Sequence, residues 1–388
     1  GGWADATLAD MSTDEKIGQL FMVPVYTNKW RNTASIDKLI REHHVGGLIF
    51  TQGSPTQQVK DANHYQQVAR VPLIVAQDSE WGAGMRLDSI LHFPRNMTLG
   101  AIDDDSLIYR FGEALAAQCR ALGVHMNFAP VVDVNNNPAN PVINVRSFGE
   151  DPQNVARKAE MLLAGMQAGG VIGTAKHFPG HGDTGVDSHL DLPVIRHNRQ
   201  RLDEIELYPY RYLIERNLMG AMIAHLYVPS LDATPNLPAS LSPKIVNDLL
   251  IEQMGFHGLI VTDALNMGGA TKHHKPGDIE LKALLAGNDI LLFPNDIPKA
   301  IAKIKAALKD GTLTEARLNR SVRKILWAKE WLWLHKQRQT PTAGVWKAKR
   351  DPAMLKLRRE LYKSAVTVAK NNRQVLPIKD LQAQKIAY

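Results

Sequence analysis

Three features of the sequence predict a parallel α/β fold of the (β/α)8 TIM-barrel type. Short runs rich in Val, Ile and Leu recur eight times. Stretches of helical length and pattern lie between many of them. Polar, chemistry-bearing residues gather where the runs end. Continuous apolar runs fit strands buried on both faces of a parallel sheet, and repeated strand–helix alternation is the pattern of a barrel. A doubly wound open sheet is the alternative. Its dinucleotide-binding form is disfavoured, because no G-x-G-x-x-G follows an early strand.

The predicted strands are 19–24, 45–50, 72–76, 126–132, 172–177, 221–226, 258–263 and 289–293, and the clearest helices are 57–68, 107–121, 152–167, 200–216 and 243–253. Asp103-Asp104-Asp105-Ser106 reads as a helix start, with acids favoured by the helix dipole. The barrel pattern ends near Trp333, so residues 1–335 form the expected catalytic barrel. Residues 337–344 are dense in turn and polar residues. A helix around 353–363, a strand-like 365–369 and an apolar-polar run at 385–388 follow. Residues 336–388 are therefore expected to be a linker and the opening of a second α/β domain.

Of the 388 residues, 46 are Lys or Arg and 39 Asp or Glu, a net charge of +7. Thirteen of the basic and three of the acidic residues lie in 336–388, which leaves 33 basic against 36 acidic in the remainder. The body is thus not basic, and a localised block of charge is the mark of a solvated or docking face. Nucleic-acid binding is disfavoured, since no aromatic-rich basic motif is present. One cysteine, Cys119, excludes an intramolecular disulfide framework and a cysteine-rich zinc module. No apolar run reaches the ~20 residues of a membrane helix.

Barrel enzymes carry their chemistry on loops at strand C-termini, so polar residues there are the candidates: Asp78, Asp133, Arg146, Lys176, His177, His225 and Asp263. The densest segment is Lys176-His177-Phe178-Pro179-Gly180-His181-Gly182-Asp183-Thr184-Gly185-Val186-Asp187-Ser188-His189. Its glycines and proline exclude a helix and make it a long loop. Asp187 and His189 are two apart, within reach of each other in an extended or turning loop. A carboxylate on one imidazole nitrogen fixes the tautomer and raises the basicity of the other, which makes a poised proton donor. Bracing of the loop is the competing reading for this pair and the favoured one for His181. A zinc site from His177, His181 and His189 is a third reading, though the spacing fits no common zinc pattern. Asp263, closing an apolar strand, is either a helix cap or a carboxylate held at the barrel mouth, suited to attack a sugar carbon or to stabilise positive charge. Cys119 reads as a small core residue.

These motifs resemble bacterial β-N-acetylhexosaminidases of glycoside hydrolase family three. The resemblance runs from Met11-Ser12-Thr13-Asp14-Glu15-Lys16-Ile17-Gly18-Gln19-Leu20-Phe21 to about Leu334, and its most specific part is Lys176–His189. Asn127-Phe128-Ala129-Pro130-Val131-Val132-Asp133-Val134, Arg146-Ser147-Phe148-Gly149-Glu150-Asp151-Pro152 and Ala286-Gly287-Asn288-Asp289 support it. It implies that Asp263 is the nucleophile, His189 the general acid/base and Asp187 its partner, with Asp78, Arg86, Arg146, Lys176 and His177 around an N-acetylglucosamine ring. The implied reaction is retaining hydrolysis of terminal β-N-acetylglucosamine, from peptidoglycan fragments, without metal or organic cofactor. Two departures bear on the outer substrate contacts. Thr262-Asp263-Ala264 stands where relatives often have Ser-Asp-Asp, and Glu80-Trp81-Gly82-Ala83-Gly84-Met85-Arg86 replaces the usual Glu-Gly-Gly-Arg-Val. The alternatives are a β-glucosidase-type enzyme with an acid from a further domain, and a non-catalytic carbohydrate-binding barrel. The tail from Ala365 to Pro377 resembles the start of the second domain of longer members. This tail favours a periplasmic or exported enzyme over a cytoplasmic one, and Gly1-Gly2-Trp3 reads as a processed or engineered end that hides any targeting sequence.

Overall fold

The computed structural model describes all residues except Gly1, Leu381, Gln384 and 386–388. Every strand pair is parallel. One sheet contains β1 (Phe21–Thr27), β2 (Gly47–Gly53), β3 (Ile74–Gln77), β4 (Met126–Asn127) and β5 (Ile172–Gly173), with β9 (Leu291–Leu292) at its other edge, in the order β5-β4-β3-β2-β1-β9. The second contains β6 (Ala175–Phe178), β7 (Gly220–Ile223) and β8 (Leu259–Thr262) in that order. Met22 faces Gly47, Gly47 faces Ile74, and Ala221 lies between Ala175 and Ile260. Isolated bridges, Val131–Lys176 and Val261–Ile290, join the sheets. The result is a curled parallel sheet whose strand C-termini share one end.

All eight predicted runs overlap an observed strand. The fourth is cut to Met126–Asn127, because Pro130 has no N–H to give to the ladder. Its carbonyls still pair onward: Ala129 accepts from Thr174 N–H at 2.9 Å and Pro130 from Lys176 N–H at 3.2 Å. The fifth run is interrupted at Thr174 and becomes β5 and β6.

Helices form where caps and periodicity agree. Asp105–Ala121 starts behind the N-cap Asp104, and Pro152–Ala168 behind Asp151 with Pro152 in its first turn. Gln118, inside the first, donates to Leu91 O and Ala348 O. The helix expected over 200–216 is two, Arg199–Glu204 and Tyr208–Ile214. Pro209 is the cause, since its ring excludes a continuous helix through the residues before it. Residues 244–253 are helical but wound with i→i+5 bonds.

The C-terminal region runs back along this body. Helices Val345–Arg350 and Pro352–Ala365 bury Val345, Ala348, Met354, Leu357 and Leu361 in its apolar clusters. The expected strand at 365–369 is absent: Ala365 ends the helix and 366–370 are irregular. A strand needs a neighbour for its N–H and C=O groups, and none pairs there among the described residues. The run expected at 385–388 lies almost wholly outside the described residues. Among those described, no helix is long and apolar enough to cross a membrane.

Candidate active site

A cavity of about 500 Å³ opens at the C-terminal ends of the strands. Seven of the predicted residues line it, Asp78, Arg86, Arg146, Lys176, His177, His189 and Asp263. The eighth, Asp187, is hydrogen-bonded behind His189.

Asp78 and Glu80 follow β3, two residues apart, so both reach the same side of an extended segment. Lys176, buried in β6, is 3.1 Å from Asp78 Oδ1 and 2.9 Å from Glu80 Oε1. Arg86 donates to Asp78 Oδ2 at 2.9 Å, and Arg146 grips Glu80 with bonds of 2.7, 3.0 and 3.2 Å. Three cations thus surround two carboxylates. Burial pushes both carboxyl pKa values up, but Lys176 with Arg86, and Lys176 with Arg146, outweigh it and hold both below the usual range. For Arg146, burial acts against the charge and Glu80 more than offsets it. Glu80 was missed in the sequence. Its signal was the period of two from Asp78.

Asp133 is buried and carries the loop. Its Oδ2 lies 2.7 Å from His177 Nδ1, and its Oδ1 accepts His181 N–H at 2.7 Å. A carboxylate on Nδ1 leaves His177 Nε2 as the free nitrogen. His181 braces the loop, as favoured: its ring nitrogens meet Thr184 Oγ1 at 2.9 Å and Ser188 Oγ at 3.0 Å, and burial lowers its pKa to about 4. With both nitrogens engaged, it has no lone pair free for the zinc reading. Among the described residues, no group of three His, Cys, Asp or Glu is arranged to hold a metal ion.

Asp263 follows β8 and does not cap a helix. The next helix begins at Gly268, and among the described residues Asp263 Oδ1 accepts only from Ala264 N–H, at 2.8 Å. Burial raises its pKa, but His177 and His225, then the Ala264 N–H and Lys176, outweigh it and hold the carboxyl low. His225 bridges Ser240 Oγ at 2.6 Å and Ala264 O at 2.8 Å. A carbonyl can only accept, so Nε2 donates and Nδ1 accepts. Burial lowers the pKa of His225, which matches this neutral tautomer.

Asp187 and His189 meet as their spacing suggested. Asp187 Oδ1 is 2.7 Å from His189 Nδ1 and also accepts the His189 N–H at 2.9 Å. Burial raises the Asp187 pKa, and these bonds more than reverse the effect. The His189 side chain is 62% exposed. Trp81 lines the cavity with the Arg95 guanidinium 4.3 Å from its ring. Of the residues read as structural, Cys119 is buried, its thiol pushed to about 12 by burial.

A parallel sheet with an acid- and base-lined cavity at its strand ends is the arrangement of an α/β enzyme. Residues 12–328 match the glycosyl hydrolase family 3 N-terminal domain. The chain belongs to that family and is a glycoside hydrolase. It is 31% identical over 97% of its length to a β-N-acetylglucosaminidase/β-glucosidase of Cellulomonas fimi, covering 68% of that protein. The family 3 β-N-acetylglucosaminidase from Paenibacillus sp. FPU-7 superimposes with a TM-score of 0.83 at 35% identity, over 92% of this chain and 69% of the other. A β-glucoside phosphorylase, BglX, superimposes with a TM-score of 0.89 at 27% identity, over 97% and 69%. The chain spans about two thirds of the length of these relatives.

Proposed function

We propose that this chain is a retaining exo-β-N-acetylhexosaminidase that removes terminal β-N-acetylglucosamine, from peptidoglycan fragments, with Asp263 as nucleophile and His189 as acid/base. The observation that carries the reading is one cavity lined by both a half-buried carboxylate whose pKa is held low and an imidazole whose Nδ1 meets Asp187. In the first step an Asp263 oxygen attacks the anomeric carbon. The glycosidic C–O bond breaks, and the leaving oxygen takes a proton from His189 Nε2. In the second step neutral His189 takes a proton from water, whose oxygen attacks the anomeric carbon and displaces Asp263. Two displacements retain configuration, and an acid/base works best with a pKa near the working pH, a condition histidine meets with little tuning. Asp78, Arg86, Arg146, Lys176 and His177 hold the sugar hydroxyls and acetamido group. We further propose that the two bridged sheets are arcs of one (β/α)8 barrel, with residues 1–335 as the catalytic unit and 336–388 as the segment leading to a second domain.

The likeness to a β-glucoside phosphorylase favours a second reading of the second step, with phosphate as the acceptor in place of water. One assay separates the readings: aryl β-N-acetylglucosaminide against aryl β-glucoside, each with and without inorganic phosphate. The proposal expects preferred turnover of the N-acetyl substrate to free sugar. A glycosyl phosphate product supports phosphorolysis. Preference for the glucoside contradicts the substrate assignment, and turnover of neither supports a binding protein.

A further inference from the structure

Between Ser188 and Leu190, both backbone hydrogen bonds that leave the catalytic loop end on one pair of glycines. Gly268 N–H donates to His189 O at 3.0 Å, and Gly269 N–H donates to Ser188 O at 3.0 Å. These amides open the helix Gly268–Thr271 and so have no partner within it. Neither glycine has a left-handed backbone. The need for glycine is close approach: a Cβ on Gly268 would lie 2.6 Å from Leu190 O and 2.8 Å from His189 O, and one on Gly269 would lie 3.0 Å from His225 Cβ and 3.1 Å from Ser188 O. Lys272, the C-cap of the same helix, adds an exposed ion pair to Asp191 at 2.8 Å. Beyond the loop stem the tip is open: nothing lies within 4 Å of a Cβ placed on Gly185, and Val186 is exposed. The segment that docks His189 is also the one that begins with Asp263.

We propose that Gly268 and Gly269 are positioning residues. They hold the Ser188–His189 backbone so that the imidazole stands at the distance from Asp263 that proton transfer to the leaving oxygen requires. This rests on the reading of His189 as acid/base. Misplacing an acid harms substrates whose leaving group needs a proton and spares those whose leaving group does not.

The test is Gly268→Ala, assayed on an alkyl and on a nitrophenyl β-N-acetylglucosaminide, with His189→Ala as the reference. A Cβ 2.6 Å from Leu190 O forces one of the two backbones to move, so some loss of thermal stability is expected and the readout is the split between the two substrates. Turnover of the alkyl substrate is expected to fall about ten-fold, a part of the ~10²–10⁴ that a positioned acid supplies, while nitrophenol release in the first step falls no more than about two-fold. Gly269→Ala, with its milder overlap, is expected to show the same split more weakly, and it decides the question if Gly268→Ala is unstable. Equal losses on both substrates, or none, overturn the proposal when His189→Ala itself discriminates between them. If His189→Ala does not discriminate, the acid/base reading fails and the glycine dock falls with it.

Discussion

The strand-end half of the site and the loop half use the same residue types in opposite ways. Asp78, Glu80, Asp133, Lys176 and His177 are about a fifth exposed or less, and each of these three carboxylates meets a cation or an imidazole within 3.1 Å, whereas Asp263 is left with the Ala264 N–H. Asp187 and His189 are 35% and 62% exposed and are held through backbone hydrogen bonds on a glycine-rich loop. Burial makes an unpaired charge costly, so the strand-end groups position one another. On the loop water screens the charges, and position comes from the backbone. Changes in the first half should therefore harm both stability and activity, whereas changes in the second should harm activity alone.

The largest expected effect is that of Asp263→Asn, which removes the attacking oxygen. Turnover should fall by about 10⁴-fold or more, the scale seen when a nucleophile is removed, with circular dichroism unchanged. Next, Glu80→Gln leaves Lys176 and Arg146 short of a buried partner charge. Denaturant titration should show a loss of about 3 kcal/mol, the usual scale for breaking a buried pair. A loss below 1 kcal/mol would break the comparison. His189→Ala should lower alkyl-glycoside turnover by about 10²-fold without loss of stability. Azide, which attacks without a base, should partly restore turnover of aryl substrates as the β-glycosyl azide. Asp187→Ala should fall between, at about ten-fold, since the imidazole remains but loses its orienting carboxylate. The smallest effect is on pH dependence. The Asp78, Glu80 and Asp263 pKa values are lowered in the folded state. Their ionised forms thus contribute stability above the unfolded-state values near ~4, and it is lost only as pH falls through the folded ones. The acid limb of kcat/KM, if set by Asp263, should lie below about pH 4.

Much of this division was legible in the sequence. Eight apolar runs marked the strands, and Asp263, Lys176 and His177 stood at their ends because a strand boundary fixes where a side chain emerges. The Asp187–His189 contact followed from local spacing. Glu80 was legible only as the period-two neighbour of Asp78, because its importance comes from Lys176 and Arg146, both far along the chain. The break before Pro209 was legible in principle from the proline alone. The strand expected at 365–369 failed because β-like composition specifies no partner. The Gly268–Gly269 dock could not be read at all, since close approach of two backbones leaves no mark on the sequence beyond glycine itself.

The central claim is that the fixed carboxylate forms the bond to sugar and the loop imidazole only moves protons. Incubation with a fluorinated N-acetylglucosaminyl trap, followed by peptide mass spectrometry, tests it most directly. The account predicts one sugar per chain, attached to Asp263, and slower labelling in His189→Ala when the trap has a poor leaving group. A label on any other acid, or turnover with inversion and no label, would contradict it.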